Sequence, residues 1–298
     1  MHQKPDWEIE GRDWPNRETS RFIEVGDLRW HVQQLGAGPI LLLVHGTGSA
    51  THSWRDLAPL LAKDFTVISV DLPGHGFTGS PKDDEGLSLP GMAASLSALL
   101  NALGVTPDLV LGHSAGAAIL ARMCLDHCIT PRALISENGA LLPLRGLAGH
   151  WFAPAARFFA THPLIPKFFA WRAGIAGGVQ DLVDSTGSRL DQRGVDLYRR
   201  LVVSPGHVAA AIGMMAQWDL DALERDLPRL TTPLIMLVAE RDSTVSPAEA
   251  RRVRAVLPSV EVETIPGFGH LAHEEAPAVV AALIRGIGER FGLLGPFV

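Results

Sequence analysis

The chain has 298 residues, 47% of them hydrophobic, enough for one large core and at most a small second lobe. Its 26 basic and 32 acidic residues give a formal charge of −6, which offers no reason to expect a nucleic-acid partner. No apolar run approaches the roughly 20 residues of a membrane span, and Met1-His2-Gln3-Lys4-Pro5-Asp6 has neither an apolar core nor a cleavage site. A cytoplasmic protein without a transmembrane segment is therefore expected, with peripheral membrane contact as an open reading.

Residues 1–20 carry Trp7 and Trp14 among charges and read as an arm packed on the core. Residues 22–34 read as two antiparallel strands turning at Gly26-Asp27. A buried strand at 40–44 runs into His45-Gly46-Thr47-Gly48. A helix over 54–62 and a strand over 65–71 follow. The helix over 88–103 stops at Gly104. Leu109-Val110-Leu111 is a strand, and Ala117 to Met123 is helical. Cys124 and Cys128 lie four apart on that helix; the spacing suits neither a disulfide nor a zinc site, so both read as buried free thiols. Strands recur at 133–136, 234–239 and 260–265, and the last helix covers 277–291.

Strand–helix alternation of this kind implies an α/β fold with a mostly parallel, eight-stranded sheet and helices on both faces. The gap from 141 to 229 is too long for a loop and holds helical patterns. The predicted division is an arm at 1–20, a core at 21–140 and 230–298, and a helical cap at 141–229.

Between its strand and helix, Gly112-His113-Ser114-Ala115-Gly116 reads as a nucleophile elbow. The sharp turn pushes the Ser114 hydroxyl out of the sheet, and the small residues let strand and helix approach. Serine needs a base held by an acid. Asp242 follows the 234–239 strand, and His270 follows the 260–265 strand, so all three fall at strand ends, where open α/β sheets place ligands. Ser114 is read as nucleophile, His270 as general base and acid, and Asp242 as the group that orients His270. His273 and Glu240 compete. His273, followed by Glu274-Glu275, reads instead as the start of the last helix, with the acids at its N-terminus. Glu240 reads as still within its strand. The backbone N–H groups of Thr47 and Ala115 are the expected oxyanion donors. Gly46, His113 and the cap aromatics Trp151, Phe152 and Trp218 are the expected substrate contacts. No metal site and no cofactor is expected; His31, His127 and His150 have no evident partner.

These motifs resemble the α/β-hydrolase superfamily over nearly the whole chain. His45-Gly46-Thr47-Gly48, Asp71-Leu72-Pro73-Gly74-His75-Gly76, the elbow, Asp242 and Gly269-His270 fall where that superfamily has its motifs. Within it, the chain resembles the magnesium chelatase accessory proteins of bacteriochlorophyll synthesis. The strings carrying this are Asp13-Trp14-Pro15-Asn16-Arg17, Leu28-Arg29-Trp30-His31-Val32-Gln33, Ser53-Trp54, the elbow through Ala118, and His270-Leu271-Ala272-His273-Glu274-Glu275. The resemblance implies a role beside magnesium insertion into protoporphyrin, with magnesium chelatase subunits as partners. It supplies no reaction. Epoxide hydrolases and haloalkane dehalogenases on this fold use, by family resemblance, an aspartate nucleophile, and Ser114 stands against them. Tyr198 is the only tyrosine, so a pair of cap tyrosines is absent as well.

From Leu141 through Gln180 there is no Asp or Glu, yet Arg145, Arg157, Lys167 and Arg172 stand among Trp151, Phe152, Phe158, Phe159, Phe168, Phe169 and Trp171. Three readings remain: plain cap packing, a pocket for a flat apolar substrate with carboxylate tails, and contact with an anionic membrane surface. Two function classes stand accordingly. One is a serine hydrolase for an apolar ester or tetrapyrrole-like substrate; the other is a non-catalytic accessory or porphyrin-delivery protein for magnesium chelatase.

Overall fold

The computed structural model describes residues 4–143 and 177–295. Its strands are β1 (Ser20–Val25), β2 (Leu28–Leu35), β3 (Ile40–Val44), β4 (Thr66–Val70), β5 (Leu109–His113), β6 (Ala133–Glu137), β7 (Leu234–Ala239) and β8 (Glu261–Ile265). They form one eight-stranded sheet in the order β1-β2-β4-β3-β5-β6-β7-β8. β2 pairs antiparallel with β1 and β4, and every other pairing is parallel. Strands covered on both faces favour apolar residues on both, which is why Ile40-Leu41-Leu42-Leu43-Val44 of β3 and Leu234–Ala239 of β7 are unbroken hydrophobic runs. The last strand, Glu-Val-Glu-Thr-Ile, carries charge on the sheet edge, where a bare apolar ladder would invite aggregation.

The helices among the described residues are α1 (Leu57–Leu61), α2 (Leu89–Leu103), α3 (Ala115–Leu125), α4 (Gly178–Ser185), α5 (Gln192–Val202), α6 (Pro205–Gln217), α7 (Asp221–Asp226), α8 (Glu249–Val256), α9 (Ala272–Glu275) and α10 (Pro277–Arg290). Strand alternation splits the core in two. Leu42, Val44, Ile68, Val70 and Val110 pack with Met92 and Leu96 of α2, Leu120 of α3 and Val253 of α8. Leu41, Leu43, Val67, Leu109 and Leu111 pack with Leu57 and Leu61 of α1 and Ile284 and Ile287 of α10. A Leu→Ala change at Leu42 or Leu43 strikes opposite layers, each at a cost of about 2–5 kcal/mol.

Between β6 and β7 run α4 to α7. α5 is clasped by the N-terminal segment: Trp14, buried, packs with Leu197 and Leu201, and Arg200 forms a two-pronged ion pair with Asp13 at 2.5 and 2.8 Å. Two expectations need correction. Cys128 lies past the end of α3 and is exposed, while Cys124 is buried, and burial pushes its thiol up to about 12. His31 has a partner: its Nδ1 lies 2.8 Å from Asp71 Oδ2, with both side chains fully buried.

The parallel strands all end on one edge of the sheet. The strand order reverses between β3 and β5, the crevice at which such sheets bind ligands.

Candidate active site

The elbow stands at that reversal. Ser114 links β5 directly to α3 and has φ 52 and ψ −119, a left-handed conformation costly for a residue with a side chain. The surrounding bonds impose it: Ser114 N–H donates to Glu137 O at 3.1 Å, and Ser114 O accepts from the N–H groups of Ala117 and Ala140. A Cβ on Gly112 would strike Ala117, and one on Gly116 would strike the Val44 carbonyl. Only glycine lets α3 cross β3 and β5 this closely.

The carboxylate and the histidine meet past the ends of β7 and β8. Asp242 Oδ2 lies 2.7 Å from His270 Nδ1, both residues being buried. Asp242 Oδ1 accepts from the N–H groups of Thr244 at 2.7 Å and Val245 at 2.9 Å, which fixes the carboxylate. A carboxylate on Nδ1 keeps the proton there and leaves the Nε2 lone pair free. Glu240 lies just beyond β7, is exposed, and accepts from Gly267 N–H instead.

Residues not singled out in the sequence hold these loops. Asn138 follows β6 with φ 46; its Oδ1 accepts from Ala239 N–H at 2.8 Å and its Nδ2 donates to His270 O at 2.9 Å. The Thr186 carbonyl accepts from both Ser243 N–H and His270 N–H, and Ser188 Oγ accepts from Leu271 N–H at 2.8 Å. A Cβ on Gly269 would strike the Gly187 backbone, so the 186–188 segment interlocks with the histidine loop. The signal for Asn138 was its place after β6, on the same sheet edge as Ser114. Nothing local marked Thr186 or Ser188.

The loop after β3 is fixed by His45. Its Nε2 accepts from Leu72 N–H at 3.0 Å, so Nδ1 carries the proton and donates to Gly46 O at 2.7 Å. Burial holds His45 below the ordinary histidine range. Gly46 O also accepts from Ser49 N–H. In a planar trans peptide the Thr47 N–H points opposite to that carbonyl. Gly46 itself lies against the elbow: a Cβ there would sit 2.9 Å from Ser114 Cβ. Ala115, buried, begins α3 with its N–H at the helix N-terminus.

His113 lies beneath the site. Its Nε2 donates to His270 O at 2.9 Å, and its Nδ1 has no partner among the described residues. Its ring stands 4.6 Å from those of both His270 and His273, and burial, then His270 and His273, hold it well below its ordinary value. Trp218, at the end of α6, is partly buried against the larger core layer. Trp151 and Phe152 lie outside the described residues, as do His150 and the basic residues from Arg145 to Arg172.

His273 and Glu274 are not solvated helix-start residues. His273 is fully buried, its Nε2 is 2.8 Å from Ser53 Oγ, and its Nδ1 is 3.1 Å from Glu137 Oε2. Burial, the largest influence, pulls this imidazole down, but Glu137 and Glu274 together hold it above its ordinary value. Glu274 accepts from Ser53, Tyr198 and Arg55, and burial pushes its carboxyl above the usual range. The pull of distant partners, Arg55 above all, overrides the helix N-terminus as the reason for this acid. Among the described residues no group of three or more His, Cys, Asp or Glu could hold a metal ion, and no helix is long and apolar enough to cross a membrane.

Comparison with known proteins bears on this arrangement. The model of the alpha/beta hydrolase family matches residues 41–283. The magnesium-chelatase 30 kDa subunit of Rhodobacter capsulatus is 37% identical over 91% of this chain and 95% of its own length. The 2-(acetamidomethylene)succinate hydrolase of Mesorhizobium japonicum is 26% identical over 89% of this chain and 93% of its own. Among solved structures an epoxide hydrolase superposes with a TM-score of 0.76 at 21% identity, covering 91% of this chain and 99% of that one.

Proposed function

The chain belongs to the alpha/beta hydrolase family, and we propose that within it this protein is a serine hydrolase that cleaves an ester of an apolar molecule. The observation that carries the reading is the buried 2.7 Å His270–Asp242 pair on the sheet edge where Ser114 is forced into its left-handed turn. In this reading Ser114 Oγ attacks the ester carbonyl while His270 Nε2 takes its proton. Asp242 steadies the imidazolium. The tetrahedral oxyanion is held by the N–H groups of Thr47 and Ala115. As the intermediate collapses, His270 returns the proton to the leaving alkoxide. Water then repeats the sequence on the acyl-enzyme and frees Ser114. The likeness to the epoxide hydrolase is one of fold; a serine occupies the nucleophile position here, and the single tyrosine is committed to Glu274 at 2.8 Å.

Similarity to the Rhodobacter chelatase subunit favours a place beside magnesium insertion into porphyrin, with a tetrapyrrole-like ester as substrate and chelatase subunits as partners. The same similarity favours a second reading, a non-catalytic accessory or porphyrin-delivery protein. One pair of measurements separates them. A fluorophosphonate probe labels the wild type and spares Ser114→Ala if the site is a working esterase. Failure of Ser114→Ala to restore pigment synthesis in a deletion strain then ties the chemistry to the pathway, whereas full rescue supports the accessory reading.

A further inference from the structure

The insertion reaches the oxyanion loop through one face of α6. His207, Ala210 and Met214 are spaced three and four apart, which places them on one side of the helix. His207 is 1% exposed and bridges two loops. Its Nδ1 accepts from Gly76 N–H at 3.1 Å and its Nε2 donates to Gly48 O at 3.0 Å. A single neutral tautomer satisfies both bonds. Met214 Sδ, fully buried, accepts from Thr47 Oγ1 at 3.4 Å. Ala210 fills the space a Cβ on Gly74 would occupy. The loop from Gly46 to Gly48 is thus gripped on two sides. His45 holds the Gly46 carbonyl from the core, and His207 holds the Gly48 carbonyl from the insertion.

We propose that His207 is a positioning residue for the oxyanion loop: His45 orients the Thr47 N–H through the Gly46 carbonyl, and His207, by fixing the Gly48 carbonyl, holds the far side of the loop so that this N–H keeps its place while α6 is seated. This rests on the serine-hydrolase reading. Gly48 has φ +76, and among the described residues nothing lies within 4 Å of where a Cβ would stand, so no described side chain packs on the loop at that point. The His207 bond supplies what packing does not.

Two substitutions separate positioning from mere support. The amide nitrogen of glutamine reaches about as far as Nε2, so His207→Gln keeps the bond to Gly48 and gives up the one to Gly76. The oxygen of asparagine lies about where Nδ1 lies, so His207→Asn keeps the Gly76 bond and gives up the Gly48 bond. Each loses one hydrogen bond, so a purely structural role predicts equal effects. Turnover of p-nitrophenyl butyrate and the rate of fluorophosphonate labelling are measured on the full chain, with melting temperatures alongside. In His207→Asn, kcat falls about 10- to 100-fold and labelling slows in parallel, while KM stays within about 3-fold, because an oxyanion donor acts on the transition state. In His207→Gln both rates stay within about 3-fold of wild type. Equal losses in the two variants, no loss in His207→Asn, or a loss confined to KM overturns the proposal while wild-type turnover leaves the hydrolase reading intact. A wild type that is neither labelled nor active overturns both. If His207→Asn yields no folded protein, His207→Gln decides alone, and a loss beyond about 10-fold overturns the proposal.

Discussion

Acid should loosen this protein through its buried histidines well before its carboxylates titrate. His207 is the case with a magnitude. Burial, its largest influence, carries it from 6.5 to about 4; the Gly48 bond and Asp71 oppose that shift, while Lys4 and His45 reinforce it. The His75 ring stands 5.3 Å away. A histidine kept neutral in the folded state stabilises fully above its unfolded value of 6.5. That stability drains as pH falls, because the unfolded chain takes up the proton first, and it is gone once the folded group titrates near 4. At about 1.4 kcal/mol per unit, the shift amounts to about 3 kcal/mol, a large share of a typical 5–15 kcal/mol. His45, His52, His75 and His113 are lowered by burial in the same sense. His273 is raised instead, so its contribution is present below 6.5 and lost as pH rises, opposing these four. Urea unfolding followed by tryptophan fluorescence at pH 7.5, 6.5, 5.5 and 4.5 should show stability falling steadily with acid. In His207→Gln the fall should shrink by about 3 kcal/mol across that window. Parallel lines for variant and wild type, or a wild type equally stable at 7.5 and 4.5, refute the reasoning.

Asp242→Asn leaves the loop's shape but removes the charge that holds the His270 tautomer, so kcat on a p-nitrophenyl ester should drop by about 10³–10⁴ with little change in KM. Asn138→Ala leaves the buried Ala239 N–H without its partner, at a cost of about 1–3 kcal/mol, and takes from His270 O one of its two donors, His113 remaining; differential scanning calorimetry should show a lower melting temperature, and turnover should fall with it. Gly116→Ala drives a Cβ into the Val44 carbonyl and should abolish soluble expression, whereas Gly48→Ala meets nothing among the described residues and should cost the left-handed backbone penalty of about 1–2 kcal/mol, read by chemical denaturation.

The sheet was legible because strands buried on both faces favour apolar residues on both, so β3 and β7 stand out as unbroken runs and β4, β5 and β6 as apolar runs interrupted by a few polar or small residues. The rule that ligands gather at C-terminal strand ends put Ser114, Asp242 and His270 on one edge, and they lie there. What stayed hidden was pairing over long separations. Glu274 read as a helix-start acid because its local setting suggested one; its partner Arg55 is 219 positions away. His31 stood without a partner in the sequence because Asp71 lies 40 positions on, across a strand pairing that only the fold defines. Cys128 was read as helical because nothing in Asp126-His127-Cys128 announces that the chain turns at His127 with φ 56. Local pattern reports which face an element buries, and says little about which polar group it will meet.

The same limit explains why the insertion reads as a helical cap with substrate-contacting aromatics and not as a support for the loops at the strand ends. Its sequence has helical spacing but no catalytic motif, so it carries no recognisable chemistry. In the fold it touches every loop that matters. Thr186 O ties the Asp242 loop to the His270 loop, Ser188 holds Leu271, His207 and Met214 grip the loop from Gly46 to Gly48, and Asp191 and Tyr198 join Arg55 and Glu274 behind His273. An element that merely covered a finished site could be exchanged for another of similar size. One that supplies hydrogen bonds to the Asp242, His270 and Gly46–Gly48 loops cannot, since each bond is fixed by a particular atom at a particular register. The sheet brings the strand ends within reach of one another, and the insertion sets how their loops are held. Relatives that share the sheet at about a fifth sequence identity therefore inform the fold, and the substrate and the rate must be sought in residues such as His207 that lie between the strands.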